Sequence, residues 1–209
     1  MRVVHTGSVR AEHSPAVRAE ALVTRRALVV DVVLDLLTSR GYDAVVVREV
    51  SRRSGMSSKT IYKLFETREH MIVAALERWM VTNVYVKVVL PEPDESLYDV
   101  LMRFLRALFE PWEQNPRMLE AYHRAQLGPA GARLRLQGTT AARRVGQALL
   151  VDDVELAQDL EAIMRNVSEG LIGRFVHGEL EVEDIVPRLE VAAARLTRTH
   201  TRNELERDA

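Results

Sequence analysis

Val47 to Phe65, VREVSRRSGMSSKTIYKLF, is the stretch around which the rest of the chain is organised. Val47 to Ser54 suits a short helix with Val47 and Val50 on one side and Arg48, Arg52 and Arg53 mostly on the other. Gly55 follows, a residue suited to the left-handed conformation that ends a helix; Met56 can pack inward, and Ser57 is a good N-cap for a second helix running to about Phe65. A helix-turn-helix of this kind lays the first residues of its second helix against base edges in the major groove while neighbouring groups hold phosphates. Here the DNA-reading set is Ser57, Ser58, Lys59, Thr60, Tyr62 and Lys63, with Arg48 on the first helix, leaving Ile61, Leu64 and Phe65 to face the core.

The flanks fit that reading. From about Arg18 to Arg40 a helix carries Leu22, Val29, Val33, Leu36 and Leu37 at helical spacing, and Gly41 stops it. Arg25 or Arg26 on its solvent side can touch phosphate or stay solvated. Residues before it, with Gly7, Ser8, Ser14 and Pro15, read as an arm whose Arg2, Arg10 and Arg18 are either solvated or reach a neighbouring groove. On the other side Thr67 is placed to cap a helix from about Arg68 to Leu90, with Ile72, Leu76, Trp79, Met80 and Val84 in an apolar series. Its N-terminal amides and Arg68 are expected to attract phosphate. PEPDES, Pro91 to Ser96, breaks the chain. These boundaries divide the protein into a DNA-binding domain, 18–70, and a helical effector-binding and dimerisation domain, 71–200.

GMSSKTIYKLFETREHM, Gly55 to Met71, resembles the signature that closes the DNA-binding domain of TetR-family repressors. Gly41, Tyr42, Val47 to Val50, Gly55, Ser57, Thr60, Tyr62, Phe65, Arg68, Glu69 and Met71 all fall where that family has the same residue or a close substitute. Three positions depart from it: Val45 and Val46 replace the usual Thr cap, Lys59 stands where Gly is common, and Leu64 replaces an aromatic residue or His. The resemblance implies a homodimer on a palindromic operator in double-stranded DNA, joined by a four-helix bundle from the last two long helices. It also implies a ligand pocket among the middle helices, with ligand binding changing the spacing of the two readers and releasing DNA. Glu113 to Ala125 and the final helix pair resemble the C-terminal domain of KstR-type repressors of sterol catabolism, which implies an acyl-CoA-like or steroid-derived effector.

The body reads as five further helices, so the fold is all-α with about nine. The first carries Leu97, Leu101, Phe104, Leu105 and Leu108; the second starts at Asn115 and Pro116 and ends at Gly128 and Pro129. A third spans about Gly131 to Leu150, with Gly138 a candidate kink. Asp152 or Asp153 caps the fourth, and Glu181 to Arg198 form the fifth, before a polar tail expected to fray. Candidate ligand contacts are Phe104, Leu108, Trp112, Met118, Tyr122, His123, Gln126, Met164, Asn166, Val167 and Gly170, an apolar wall with few polar groups, as small-molecule sites tend to be. Asn166 and Glu169 are singled out because polar groups on an inward-packed helix need partners. Arg133, Arg135, Arg143 and Arg144 are either a solvated face or a seat for a CoA phosphate. The last two long helices, through Gly173, Leu189, Ala192, Ala193 and Leu196, with Gly170 allowing close approach, are the expected dimer interface.

Composition narrows the alternatives. The net charge of −1 hides an asymmetry: residues 1–70 hold 12 basic and 8 acidic side chains, the remainder 17 and 22. A basic head on an acidic body suits a nucleic-acid partner. With no Cys there are no disulfides, thiolate metal sites or cysteine nucleophiles, which is compatible with a reducing cytoplasm. No apolar run spans a bilayer and no signal-peptide core opens the chain, so a cytoplasmic location is expected. HExxH, a Gly-rich phosphate loop and GxSxG are missing, and the six His are scattered, so an enzyme is not expected and no metal or cofactor is called for. The remaining rival is a helical ligand-binding or interaction protein with a vestigial helix-turn-helix.

Overall fold

Proline is at home in the first turn of a helix, where no intrahelical N–H is needed, and α1 accordingly spans Pro15–Arg40, starting at Pro15 rather than Arg18. The computed structural model describes residues 15–92, 95–149 and 153–207; Arg2, Arg10, Leu150 and Asp152 lie outside them. Within the described residues there are nine α-helices and no strand, and no helix is long and apolar enough to cross a membrane. Val29, Val33, Leu36 and Leu37 of α1 are fully buried, but Leu22 is 53% exposed. The first turns of α1 carry no partner helix over that face, so Leu22 leaves the core set.

The central motif forms as its residues dictate. Helix α2 spans Val47–Ser54 and α3 spans Ser58–Leu64, with Gly55 between them at φ 68°, ψ 13°, the left-handed region that glycine enters without steric cost. Val46 sits at the N-cap of α2 and offers no side-chain hydrogen bond, as the missing Thr implies. Ser57 caps α3 and Thr67 caps α4, Arg68–Asn83. Helix α4 stops well short of Leu90 and gives way to a 3-10 turn at Tyr85–Lys87. The cause is local: β-branched residues crowd VTNVYVKVV, and Thr82 and Asn83 turn their side chains back onto the carbonyls of Arg78 and Trp79.

Helices α5 (Leu97–Glu113), α6 (Pro116–Leu127), α7 (Ala132–Leu149), α8 (Val154–Val176) and α9 (Ile185–Arg207) build the body. Ser96 caps α5 and Asp153 caps α8. Helix α7 runs unbroken through Gly138. Helix α9 begins after a 3-10 turn at Val182–Asp184 and continues to Arg207, past the expected fraying point, because no Gly or Pro follows Pro187 of its first turn.

Helix α4 belongs to both halves. It packs against α1 in the head and against α6 and α7 in the body, so one buried cluster runs from Val33, Val50 and Ile61 through Ile72, Leu76 and Trp79 to Trp112, Leu119 and Met164. Burying a side chain such as Ile61 or Ile72 contributes about 1.5–3 kcal/mol. A core continuous across the two halves resists their independent movement. On the far side α9 packs against α5 and α8, and the Tyr98 hydroxyl donates to Glu190 at 2.8 Å across the α5–α9 seam.

Candidate functional site

At the head, α3 turns Ile61 and Phe65 inward, with Leu64 half-buried, and leaves an outer surface of Ser58, Lys59, Tyr62 and Lys63. Tyr62 is 53% exposed although it is aromatic, which places a phenol in water without a structural need for it. Arg48, Lys59 and Lys63 are exposed and make no ion pair with any described residue. Ser57 and Thr60 are partly committed: Ser57 Oγ accepts the Thr60 amide at 3.2 Å and lies 2.9 Å from Thr60 Oγ1. Arg52 and Arg53 turn to Glu49, whose carboxyl they hold down at a pKa of about 2.

Arg68, expected to meet phosphate, is spent internally. Its guanidinium donates to the carbonyl oxygens of Val45 and Tyr42 and lies 4.5 Å over the Tyr42 ring. The segment before α2 is a single 3-10 turn, Tyr42–Ala44, in which the Val45 amide donates to the Tyr42 carbonyl; Arg68 adds a second donor there and supplies one to the Val45 carbonyl. Arg26 is likewise engaged, donating to the Leu64 carbonyl at 2.7 Å, where it caps the end of α3, and covering the Phe65 ring at 4.1 Å. Arg25 stays exposed.

Tyr42 is also held from the body. Arg124 of α6 lies 4.2 Å over the same ring and grips Asp43 with two hydrogen bonds of 2.7 and 2.9 Å, holding that carboxyl below its usual range. Arg117, about two turns earlier on α6, donates to the Ser39 carbonyl at 2.6 Å. Neither tether was legible beforehand, since nothing in Arg117 or Arg124 distinguishes them from other surface arginines.

In the body a cavity of about 240 Å³ opens between α4, α5, α6, α7 and α8. Phe104, Leu108, Trp112, Tyr122, Gln126 and Met164 line it, as the sequence suggested, together with Met80, Tyr85, Leu101, Leu105, Phe109, Gly138 and Leu160. Trp79, Trp112 and Tyr122 stack beside it, with ring centroids 4.2 and 5.3 Å apart. Arg135, Glu161, Arg165, Ser168 and Glu169 supply its polar lining. Burial pushes the Tyr122 hydroxyl up to about 12, and burial raises Tyr85 further.

Five expected contacts do not line this cavity. Met118 is fully buried in the core, Val167 packs on the core, and Gly170 is exposed. Asn166 is exposed too and donates to the Ala162 carbonyl of its own helix at 2.8 Å, so its polarity needed no ligand. His123 is half-buried with Nδ1 shielded and without a partner among the described residues; burial, then His177, lower its pKa. Of the arginines considered for a CoA phosphate, Arg133 pairs with Glu77 at 2.8 Å and Arg135 donates to the Gln126 carbonyl, while Arg143 and Arg144 are exposed.

The expected dimer residues also divide. Leu189 and Ala193 are fully buried within the protomer and have no surface left for a partner, because α9 turns them against α5 and α8. Ala192 and Leu196 are half-buried, and a Cβ built on Gly173 or Gly170 meets nothing within 4 Å.

Comparison with known proteins places these features together. Residues 29–75 match the model of bacterial regulatory proteins of the tetR family, and residues 95–196 match that of the tetracyclin repressor-like C-terminal domain. The chain belongs to the TetR family of DNA-binding transcriptional regulators. Among TetR relatives, the HTH-type transcriptional repressor KstR of Rhodococcus jostii (strain RHA1) is 26% identical over 181 residues, 82% of each chain. KstR of Mycolicibacterium smegmatis is 35% identical over 60 residues, 29% of each. The fold is shared with solved TetR structures. A TetR transcriptional regulator from Rhodococcus sp. RHA1 superposes with a TM-score of 0.64 at 19% identity, covering 83% of this chain and 94% of that one. A TetR family regulator from Marinobacter aquaeolei VT8 gives 0.52 at 16% identity, covering 83% and 97%.

Proposed function

We propose that this TetR-family regulator is a repressor that binds a palindromic operator as a homodimer and releases it when a small apolar or amphipathic effector fills the body cavity. The observation that carries this reading is the double engagement of α6. One part of that helix supplies Tyr122 and Gln126 to the cavity wall, and the same helix holds the head through Arg117 to Ser39 and Arg124 to Tyr42 and Asp43. A ligand that shifts α6 therefore moves the loop that positions α2 and α3. The outward set of Arg48, Ser58, Lys59, Tyr62 and Lys63, with Ser57 and Thr60 at the start of α3, supplies DNA contacts, and two-fold pairing through α8 and α9 gives two readers. The similarity to KstR, named a repressor, supports repression over activation.

Selection of bound duplexes from a random library, then anisotropy titration of the winner at two salt concentrations, tests this. An inverted repeat with affinity falling steeply as salt rises is expected. Failure to enrich any sequence, even after the protein is unfolded and refolded to strip bound ligand, would reduce the motif to a vestige.

A further inference from the structure

The cavity contains two hydroxyls that the protein itself does not use. Tyr85 Oη is buried and has no hydrogen-bond partner among the described residues, and the Tyr122 hydroxyl makes no hydrogen bond to them either. Both point at the same place. A Cβ built on Gly138 would lie 3.7 Å from Tyr122 Oη and 4.0 Å from Tyr85 Oη, and nothing else stands within 4 Å. Tyr85 comes from the turn after α4, Tyr122 from α6 and Gly138 from α7, so three separate elements converge on one small gap in the cavity wall. A buried donor without an acceptor is costly, and such groups call for an explanation.

We propose that Tyr85 and Tyr122 form a subsite for one uncharged oxygen, a carbonyl or hydroxyl, carried on an otherwise apolar ligand. This rests on the cavity being the effector site and specifies what the effector must present there. Two phenol donors match the two lone pairs of a single oxygen. Burial keeps both phenols protonated and able to donate. Glu169 and Arg135, of opposite sign, both act on Tyr122, so the subsite offers a carboxylate no single unopposed cation. Gly138 is the space for the oxygen: Gly138→Ala would put a methyl group into it at ordinary contact distance, without pushing on backbone.

The test uses the full chain and the dye 6-propionyl-2-(dimethylamino)naphthalene, whose emission moves to the red when its carbonyl accepts hydrogen bonds. Its control is 2-(dimethylamino)naphthalene, which lacks the carbonyl. Energy transfer from the two tryptophans, Trp79 and Trp112, reports entry into the cavity. The ketone is expected to bind with red-shifted emission. The Tyr85→Phe/Tyr122→Phe double variant should shift that emission to the blue and weaken the ketone about tenfold or more, leaving the control unchanged. Gly138→Ala should weaken the ketone with no loss of thermal stability, and it carries the test if the double variant fails to fold. Ketone binding with the same affinity and colour in all variants overturns the subsite and leaves the cavity reading intact. If neither dye enters, the cavity reading falls and the subsite with it.

Discussion

Lys63 and Arg68 carry the same charge and face opposite tasks. Lys63 is exposed and unpaired on α3, whereas Arg68 is enclosed by the Val45 and Tyr42 carbonyls and the Tyr42 ring. If Lys63 meets phosphate, Lys63→Ala lowers affinity across sequences and reduces the slope of log affinity against log salt by about one. Arg68→Ala instead lowers the melting temperature, at a cost of roughly 1–3 kcal/mol for the Val45 carbonyl left without a donor, and leaves the salt slope alone. An Arg68→Ala slope reduced like that of Lys63→Ala would return Arg68 to the DNA contacts. His123 gives a pH dependence. Its folded-state pKa lies below the ordinary 6.5, so the unfolded chain takes up the proton first. The sign follows: the contribution is neutral above 6.5, and stability is lost as pH falls from there to the folded-state value. Thermal melts in mildly acidic buffer should therefore show a shallower loss for His123→Gln than for wild type; parallel curves would exclude this histidine as the cause.

At the scale of elements, helix starts marked by a polar cap were legible. Ser57, Thr67 and Asp153 cap the helices they precede, because a short polar side chain beside a free amide is a local event that spacing reveals; Ser96, read only as the end of a break, caps α5 in the same way. The uncapped Val46 invites repair. Its backbone is already extended, φ −109° and ψ 143°, and the side chain is 46% exposed, so Val46→Thr can cap α2 without rearrangement. The expected gain is about 1 kcal/mol, or about 2–4 °C in Tm for a chain of this size. No change on calorimetry would mean that the new hydroxyl prefers water to the amide of Arg48 or Glu49. The end of α4 was misjudged because apolar spacing continues through Val84 while β-branching and back-bonding hydroxyls weaken the helix.

For the whole molecule, the open questions are pairing and coupling. Gly173→Arg places a long cation on α8 at a position where an added Cβ meets nothing within 4 Å. If α8 and α9 pair two copies, the variant should keep its helical content yet sediment as a monomer where wild type sediments as a dimer, with operator affinity reduced accordingly. A dimeric variant would move the interface elsewhere. Arg124→Gln cuts the grip on Asp43 and the cover over Tyr42. Operator binding by the unliganded protein should change little, while the factor by which a cavity ligand weakens it, typically about 5–150-fold in such coupled systems, should shrink several-fold. An unaltered factor would show that the signal travels through α4 instead.

Local chemistry in the sequence determined the helical class, the helix-turn-helix and its outward residues Lys59, Tyr62 and Lys63, the caps Ser57, Thr67 and Asp153, and six residues of the cavity wall. Each of these depends on periodicity or on neighbours a few residues apart. Tertiary structure alone decided what Arg26, Arg68 and Arg124 bind, that Asn166 closes on its own helix, that Leu189 and Ala193 are used up inside the protomer, and that Tyr85 and Tyr122 meet over Gly138. The reason is that a side chain's charge and length are written in the sequence, whereas its partner is chosen by whichever helix packs beside it.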